Sequence, residues 1–202
     1  MFGLNFKIKN FHNKNKKIPL KKKLKEILSE KNQILESLSK NYKYNFNKRK
    51  LSRYRKFKNV RIIGMGGSTL GTQAIYDFLN YKIKKKFYFL DNINTGKYKK
   101  KEKKYLNLIV SKSGNTIETI SNANIFIKKN DENIFITENK KTYLFNLAQK
   151  LKSEIIHHNN FIGGRYSVLS EVGMLPAELM GLKTNDFKQY NNLIKNKFFL
   201  NT

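Results

Sequence analysis

Val60-Arg61-Ile62-Ile63-Gly64-Met65-Gly66-Gly67-Ser68-Thr69-Leu70-Gly71 is the stretch that decides the fold. The apolar run 60–63 is too short for a helix and ends in a glycine-dense turn. From Leu70 to Leu79 apolar residues recur at helical spacing. The unit therefore reads strand, loop, helix.

The same grammar repeats downstream. Apolar runs at 87–90 and 106–110 predict two more strands, the first ending at Asp91-Asn92 and the second at Ser111-Lys112-Ser113-Gly114-Asn115-Thr116. A helix is predicted over 117–128, a strand over 133–137, a helix over 143–151 and a fifth strand over 154–157. Gly163-Gly164-Arg165 follows, then a helical region that Pro176 is expected to interrupt. Short apolar strands alternating with helices predict an α/β fold, a three-layer sandwich whose parallel sheet is covered on both faces. Such sheets bind ligands beyond the carboxyl ends of their strands, where both glycine-bearing strand-to-helix loops fall.

Upstream, residues 1–18 are polar, basic and Asn-rich and read as a poorly ordered arm. Leu20, Leu24, Ile27, Leu28, Ile34, Leu35 and Leu38 then recur at helical spacing, with Ser29-Glu30-Lys31-Asn32 read as a break between two helices. Residues 42–58 are aromatic and basic without a clean period, and read as a linker. The expected organisation is an arm and helical extension over 1–58, a ligand-binding α/β domain over 59–187, and a helical tail over 188–202.

Composition narrows the function classes. The 202 residues carry 42 Lys and Arg against 14 Asp and Glu, a formal charge of +28. That balance suits a phosphate backbone. The cations are mostly Lys in surface-like runs such as Lys21-Lys22-Lys23 and Lys99-Lys100-Lys101, however, and Lys, Asn, Ile, Phe and Tyr all have A/T-rich codons. A genomic bias is the preferred explanation and a nucleic-acid partner is not expected, although the positive field would help recruit a small anionic substrate. The absence of cysteine excludes disulfides and thiolate metal sites. His12, His157 and His158 make no ligand pattern, so no metal or other cofactor is expected. No apolar run is long enough to span a bilayer and the N-terminus lacks a signal-peptide pattern, so a cytoplasmic location with no membrane partner is the expectation.

Three constellations carry chemistry. Gly64–Gly71 (GMGGSTLG) can bring backbone amides close to an anion or a hydroxyl-rich ligand, or can be a tight turn without one. It lacks the GxGxxG spacing of dinucleotide sites, because Thr69 stands at the third glycine. Ser111–Thr116 (SKSGNT) gathers three hydroxyls and a glycine where a helix begins, more than a simple Ser/Thr cap requires, and suits a phosphate. Lys112 adds a charge there or is merely solvated. Gly163-Gly164-Arg165-Tyr166-Ser167 lets the backbone present one guanidinium to an oxyanion, or is a turn beside a surface arginine. Among nearby carboxylates, Glu118 reads as a first-turn residue favoured by the helix dipole, and Glu171 and Glu178 read as helix-surface residues.

The order GMGGSTLG, SKSGNTIET, GGRYSVLSEVGMLP, over about residues 59 to 185, resembles the phosphoglucose isomerase family. The resemblance implies a sugar-isomerase (SIS) fold with a flavodoxin-like parallel sheet. It implies that Gly67, Ser68 and Gly164 touch the sugar, that Ser111, Lys112, Ser113, Gly114, Asn115 and Thr116 hold its phosphate, and that Arg165 steadies an enediolate. The implied activity is interconversion of glucose 6-phosphate and fructose 6-phosphate by proton transfer through a cis-enediolate, in a homodimeric enzyme of glycolysis and gluconeogenesis. Gly114-Asn115 replaces a Phe-Thr pair common in the family and is closer to the generic SIS loop. The family's Gln-x-x-x-Glu base, ring-opening histidine and late lysine have no counterpart here, so this chain is expected to be a partial enzyme that is inactive alone. A stand-alone SIS domain that senses a phosphosugar is the alternative.

Overall fold

The computed structural model describes residues 20–93, 104–128 and 131–188. Along these the elements run α1 (Leu20–Ser29), α2 (Gln33–Ser37), α3 (Lys48–Leu51), β1 (Asn59–Gly64), α4 (Leu70–Leu79), β2 (Lys86–Leu90), β3 (Tyr105–Val110), α5 (Ile117–Phe126), β4 (Glu132–Thr137), α6 (Tyr143–Lys150), β5 (Glu154–His157) and α7 (Glu171–Met180). Short 3₁₀ turns occupy Gly66–Ser68, Gly164–Leu169 and Thr184–Lys188 among other places. The predicted arm over 1–18 and nearly all of the predicted tail lie outside the described residues.

All five strands are parallel, in the order β2-β1-β3-β4-β5. The chain leaves β1 toward β2 on one side and returns to β3 on the other, so β1 and β3 flank the topological switch point, where open α/β sheets bind ligands. The register aligns Gly64 with Val110, so the loops that follow β1 and β3 start side by side.

Alternation along the strands sorts side chains between two layers. Val60, Ile62, Leu106, Leu108, Val110, Ile134 and Ile136 face α4 and α7. Ile63, Ile109 and Phe135 face α5 and α6, packing on Ala123, Leu144 and Ala148. At 20–33 cal/mol per Å2 of apolar surface, each such side chain contributes about 1.5–3 kcal/mol when fully buried. On the second face Arg61, Asn107 and Asn133 stand in register across three strands. Arg61 donates to Asn107 Oδ1 at 2.9 Å and lies over the Tyr105 ring at 4.1 Å, while Asn107 donates to Asn133 at 2.9 Å. The polar row is thereby satisfied internally.

Three features differ from the sequence expectations. The stretch read as a linker places Phe46, Leu51, Tyr54 and Phe57 in the α4/α7-side core, because aromatic side chains can pack there without any repeating period. Pro176 does not interrupt α7. The Val172 carbonyl, which a prolyl nitrogen cannot reach with a proton, accepts from the buried Thr72 hydroxyl at 3.2 Å instead. Glu171 is not a surface residue, and Glu178 is only partly exposed. Glu171 is fully buried, and Glu178 is paired with Lys48 and accepts from Thr184 at 2.8 Å.

Candidate functional site

The loop after β1 makes one 3₁₀ turn, Gly66–Ser68, before α4. Gly67 is required by a close approach: a Cβ there would lie 2.3 Å from the carbonyl carbon of Gly164. The backbones of the first and third constellations therefore touch, although they are almost a hundred residues apart. Ser167 reinforces the contact, its hydroxyl donating to Gly164 O at 2.7 Å and reaching Gly67 O at 3.4 Å. Ser68 is half-buried beside Gly67, whereas Arg165 and Tyr166 are exposed at the rim.

The loop after β3 is organised from within. Ser111 is buried and its Oγ stands 3.0 Å from Thr116 Oγ1, while the Gly114 amide donates to Ser111 Oγ at 3.2 Å. Gly114 has φ +66, and a Cβ there would meet Thr142 Oγ1 at 2.1 Å, so glycine is needed on both counts. Thr116 is the N-cap residue of α5, yet its side chain makes no capping bond. The first-turn amides of α5 therefore have no cap from Thr116, at the positive end of a ten-residue helix. Ser113 is exposed beside them. Asn115 is used differently: its Oδ1 accepts from the Tyr143 amide at 3.0 Å and ties this loop to the start of α6.

Lys112 is neither free nor simply solvated. Its ammonium donates to the Asn160 carbonyl at 2.7 Å and stands 3.6 Å from Glu138. Glu138, also paired with Lys140 at 2.8 Å, is the residue at this site that the sequence reading missed; its position just beyond the end of β4 was the available signal. Burial pushes the Glu138 carboxyl up, but the Lys140 and Lys112 ammoniums outweigh it and leave the group below the usual carboxylate value. Burial pushes the neighbouring His158 imidazole down, against a 3.1 Å contact with the Asn159 carbonyl that pulls the other way.

Two clefts lie elsewhere. One of about 510 Å3 opens at the opposite, amino ends of the strands, between Asn59, Tyr105, Asp131 and Glu132. The other, of about 760 Å3, lies between Lys48, Arg55, Lys82 and Lys183. Met65, Ile117 and Phe161 are exposed on or beside these loops. Among the described residues no group of His, Asp and Glu could hold a metal ion, and no helix is long and apolar enough to cross a membrane.

A family profile described as phosphoglucose isomerase matches residues 9–198. The glucose-6-phosphate isomerase of Methanocaldococcus jannaschii is 38% identical over 139 residues, covering 62% of this chain and 34% of that protein. That of Mycoplasmoides gallisepticum is 32% identical over 151 residues, 66% of this chain and 35% of that protein. The chain thus spans about a third of the length of these curated relatives. A hypothetical protein from Thermus thermophilus superposes with a TM-score of 0.65 at 25% identity, over 83% of this chain and 45% of that one. Tagatose-6-phosphate ketose/aldose isomerase from Escherichia coli shares the fold alone, with a TM-score of 0.53 at 18% identity over 70% of this chain and 43% of that one. With its five-stranded parallel sheet of SIS type, its two touching glycine loops and a profile match over most of its length, the chain belongs to the phosphoglucose isomerase family.

Proposed function

We propose that this chain is the phosphosugar-binding part of a glucose-6-phosphate isomerase. The observation that carries the reading is the contact of Gly67 with Gly164 beside the uncapped start of α5. On this reading donors of three kinds serve one ligand: amides, hydroxyls and a guanidinium.

A sugar phosphate carries about −1.5 to −2 charge at neutral pH, by analogy with phosphorylated side chains. Its phosphate docks on the first-turn amides of α5 and the hydroxyls of Ser113 and Thr116, where the helix dipole adds about 0.3–1 kcal/mol. Lys112, held by Glu138 and Asn160, supplies fixed positive charge behind this loop rather than a mobile hand on the ligand. The sugar lies toward Gly67 and Ser68. Arg165 faces the oxygens that gain charge as a proton moves between C2 and C1 through an enediolate.

That proton transfer needs a carboxylate within hydrogen-bond reach of C2 or C1. Glu138, Glu171 and Glu178 are engaged with partners of their own, and Glu118 sits half-buried in the first turn of α5. The family resemblance implies that the base and the ring-opening acid belong to the part of the relatives' length that this chain does not span.

Calorimetric titration of the purified chain with fructose 6-phosphate and with fructose, beside a coupled isomerase assay, tests both halves of the proposal. The expected result is binding of the phosphate ester, no binding of fructose and no turnover. Equal affinity for both sugars would refute the phosphate loop. Turnover at an ordinary enzymatic rate would refute the missing base.

A further inference from the structure

Behind the Arg165 run, the fold buries two opposite charges. Lys188 is 3% exposed and Glu171 is 0% exposed. The Lys188 ammonium donates to the carbonyl of Ser37 and, at 2.6 Å, to that of Leu169, with the Tyr42 and Tyr44 ring centroids each 5.1 Å away. Glu171 accepts from the Tyr42 hydroxyl, 3.2 Å from each carboxylate oxygen, and from the Asn45 amide at 3.0 Å.

The places these charges grip are specific. Leu169 ends the 3₁₀ run Gly164–Leu169 that carries Arg165, and Glu171 begins α7 two residues later. The front of the run is fixed by Gly164 against Gly67, and its back is fixed by Lys188 and Glu171. Stability alone is a poor reason for this arrangement, because apolar side chains of similar volume are commonly as stable as a buried ionic cluster or more so. Charged groups with directional bonds do hold a turn in one geometry, which packing alone does less well.

We propose that Lys188 and Glu171 are positioning residues that fix the Leu169–Glu171 turn from inside and so set where the Arg165 guanidinium stands relative to the Gly67 loop. The inference rests on the reading of Arg165 as a ligand-facing group. It adds a pH dependence. Burial pushes the Lys188 ammonium down to about 8, opposed by the Glu171 carboxylate. The titratable groups facing it are Glu171 from α7 and Tyr42 and Tyr44 from the N-terminal segment, with Glu178 acting on Tyr44. Both tyrosines are pushed well above their usual value, by burial first and then by the Glu171 charge, so they stay protonated through pH 9. Of Lys188, Tyr42 and Tyr44, the group that changes state between pH 7 and 9 is therefore Lys188, and the clamp slackens as the pH rises.

Hydrogen exchange by mass spectrometry, taken as the ratio of residues 164–170 to residues 111–119 so that intrinsic pH effects cancel, measures this. In the wild type the ratio should rise about fivefold from pH 7 to pH 9, as a charge-assisted hydrogen bond becomes a neutral one. Lys188→Met should show the raised ratio already at pH 7 and no further change. Glu171→Gln, which keeps the shape of the side chain, should move the midpoint to lower pH, a shift that general loosening would not produce. A wild-type ratio independent of pH, or an unmoved midpoint in Glu171→Gln, would overturn the proposal. Fructose 6-phosphate added at pH 7 should slow exchange in both segments. If it slows neither, the ligand reading of the loops fails while the pH dependence still judges the clamp.

Discussion

The Thr72 hydroxyl donates 3.2 Å to the carbonyl of Val172, the one carbonyl of α7 that Pro176 deprives of its helical donor. A side chain from α4 thus completes the backbone of α7, and the two helices that cover one face of the sheet are bonded as well as packed. The Arg165 run leads directly into α7, so this bond also anchors the candidate site.

Thr72→Val removes the hydroxyl at nearly constant volume and leaves a buried carbonyl unsatisfied. The expected loss is about 1–3 kcal/mol of stability in urea unfolding. In a Pro176→Ala background the restored amide serves the carbonyl, and the same substitution should cost clearly less. Equal costs in the two backgrounds would refute the pairing.

Gly67→Ala tests whether the two glycine loops must touch. Its Cβ would stand 2.3 Å from Gly164, against backbone that has little room to yield. Overpacking of this kind costs about 1–3 kcal/mol of stability and forces the two loops apart, so fructose 6-phosphate affinity should fall by calorimetry, tenfold for about each 1.4 kcal/mol of binding free energy lost. An unchanged affinity would place the sugar elsewhere.

Glu138 carries a further pH prediction. Its folded-state value lies below the ordinary carboxylate value of 4.5 because Lys140 and Lys112 outweigh the burial that raises it. Its stabilising contribution is therefore complete above about pH 4.5 and is lost as the pH falls below the depressed value. Thermal denaturation from pH 6 to pH 2 should show a shallower acid decline in Glu138→Gln than in the wild type. Parallel curves would exclude an ionic role for this residue.

Much of this architecture was legible in the sequence because its signals are local. The helix over Leu70–Leu79 and the strand over Glu154–His157 follow from periodicity and a short apolar run, and the structure keeps both boundaries. The loops were legible because glycine and hydroxyl residues cluster at strand ends. What stayed hidden depends on partners distant in sequence. The burial of Glu171 follows from Tyr42 and Asn45, more than a hundred residues earlier, and the continuity of α7 through Pro176 follows from Thr72. Lys112 offered two readings, solvated or ligand-facing, until Glu138 and Asn160 were brought beside it.

The central claim is that β1, β3 and the Arg165 run build one phosphosugar shelf. Amide chemical-shift mapping of the isotopically labelled chain, titrated with inorganic phosphate and then with fructose 6-phosphate, tests it most directly. The account predicts that residues 113–119 respond to both ligands and that Gly67, Gly164 and Arg165 respond to the sugar phosphate alone. Responses confined to the cleft between Lys48, Arg55, Lys82 and Lys183 would contradict it.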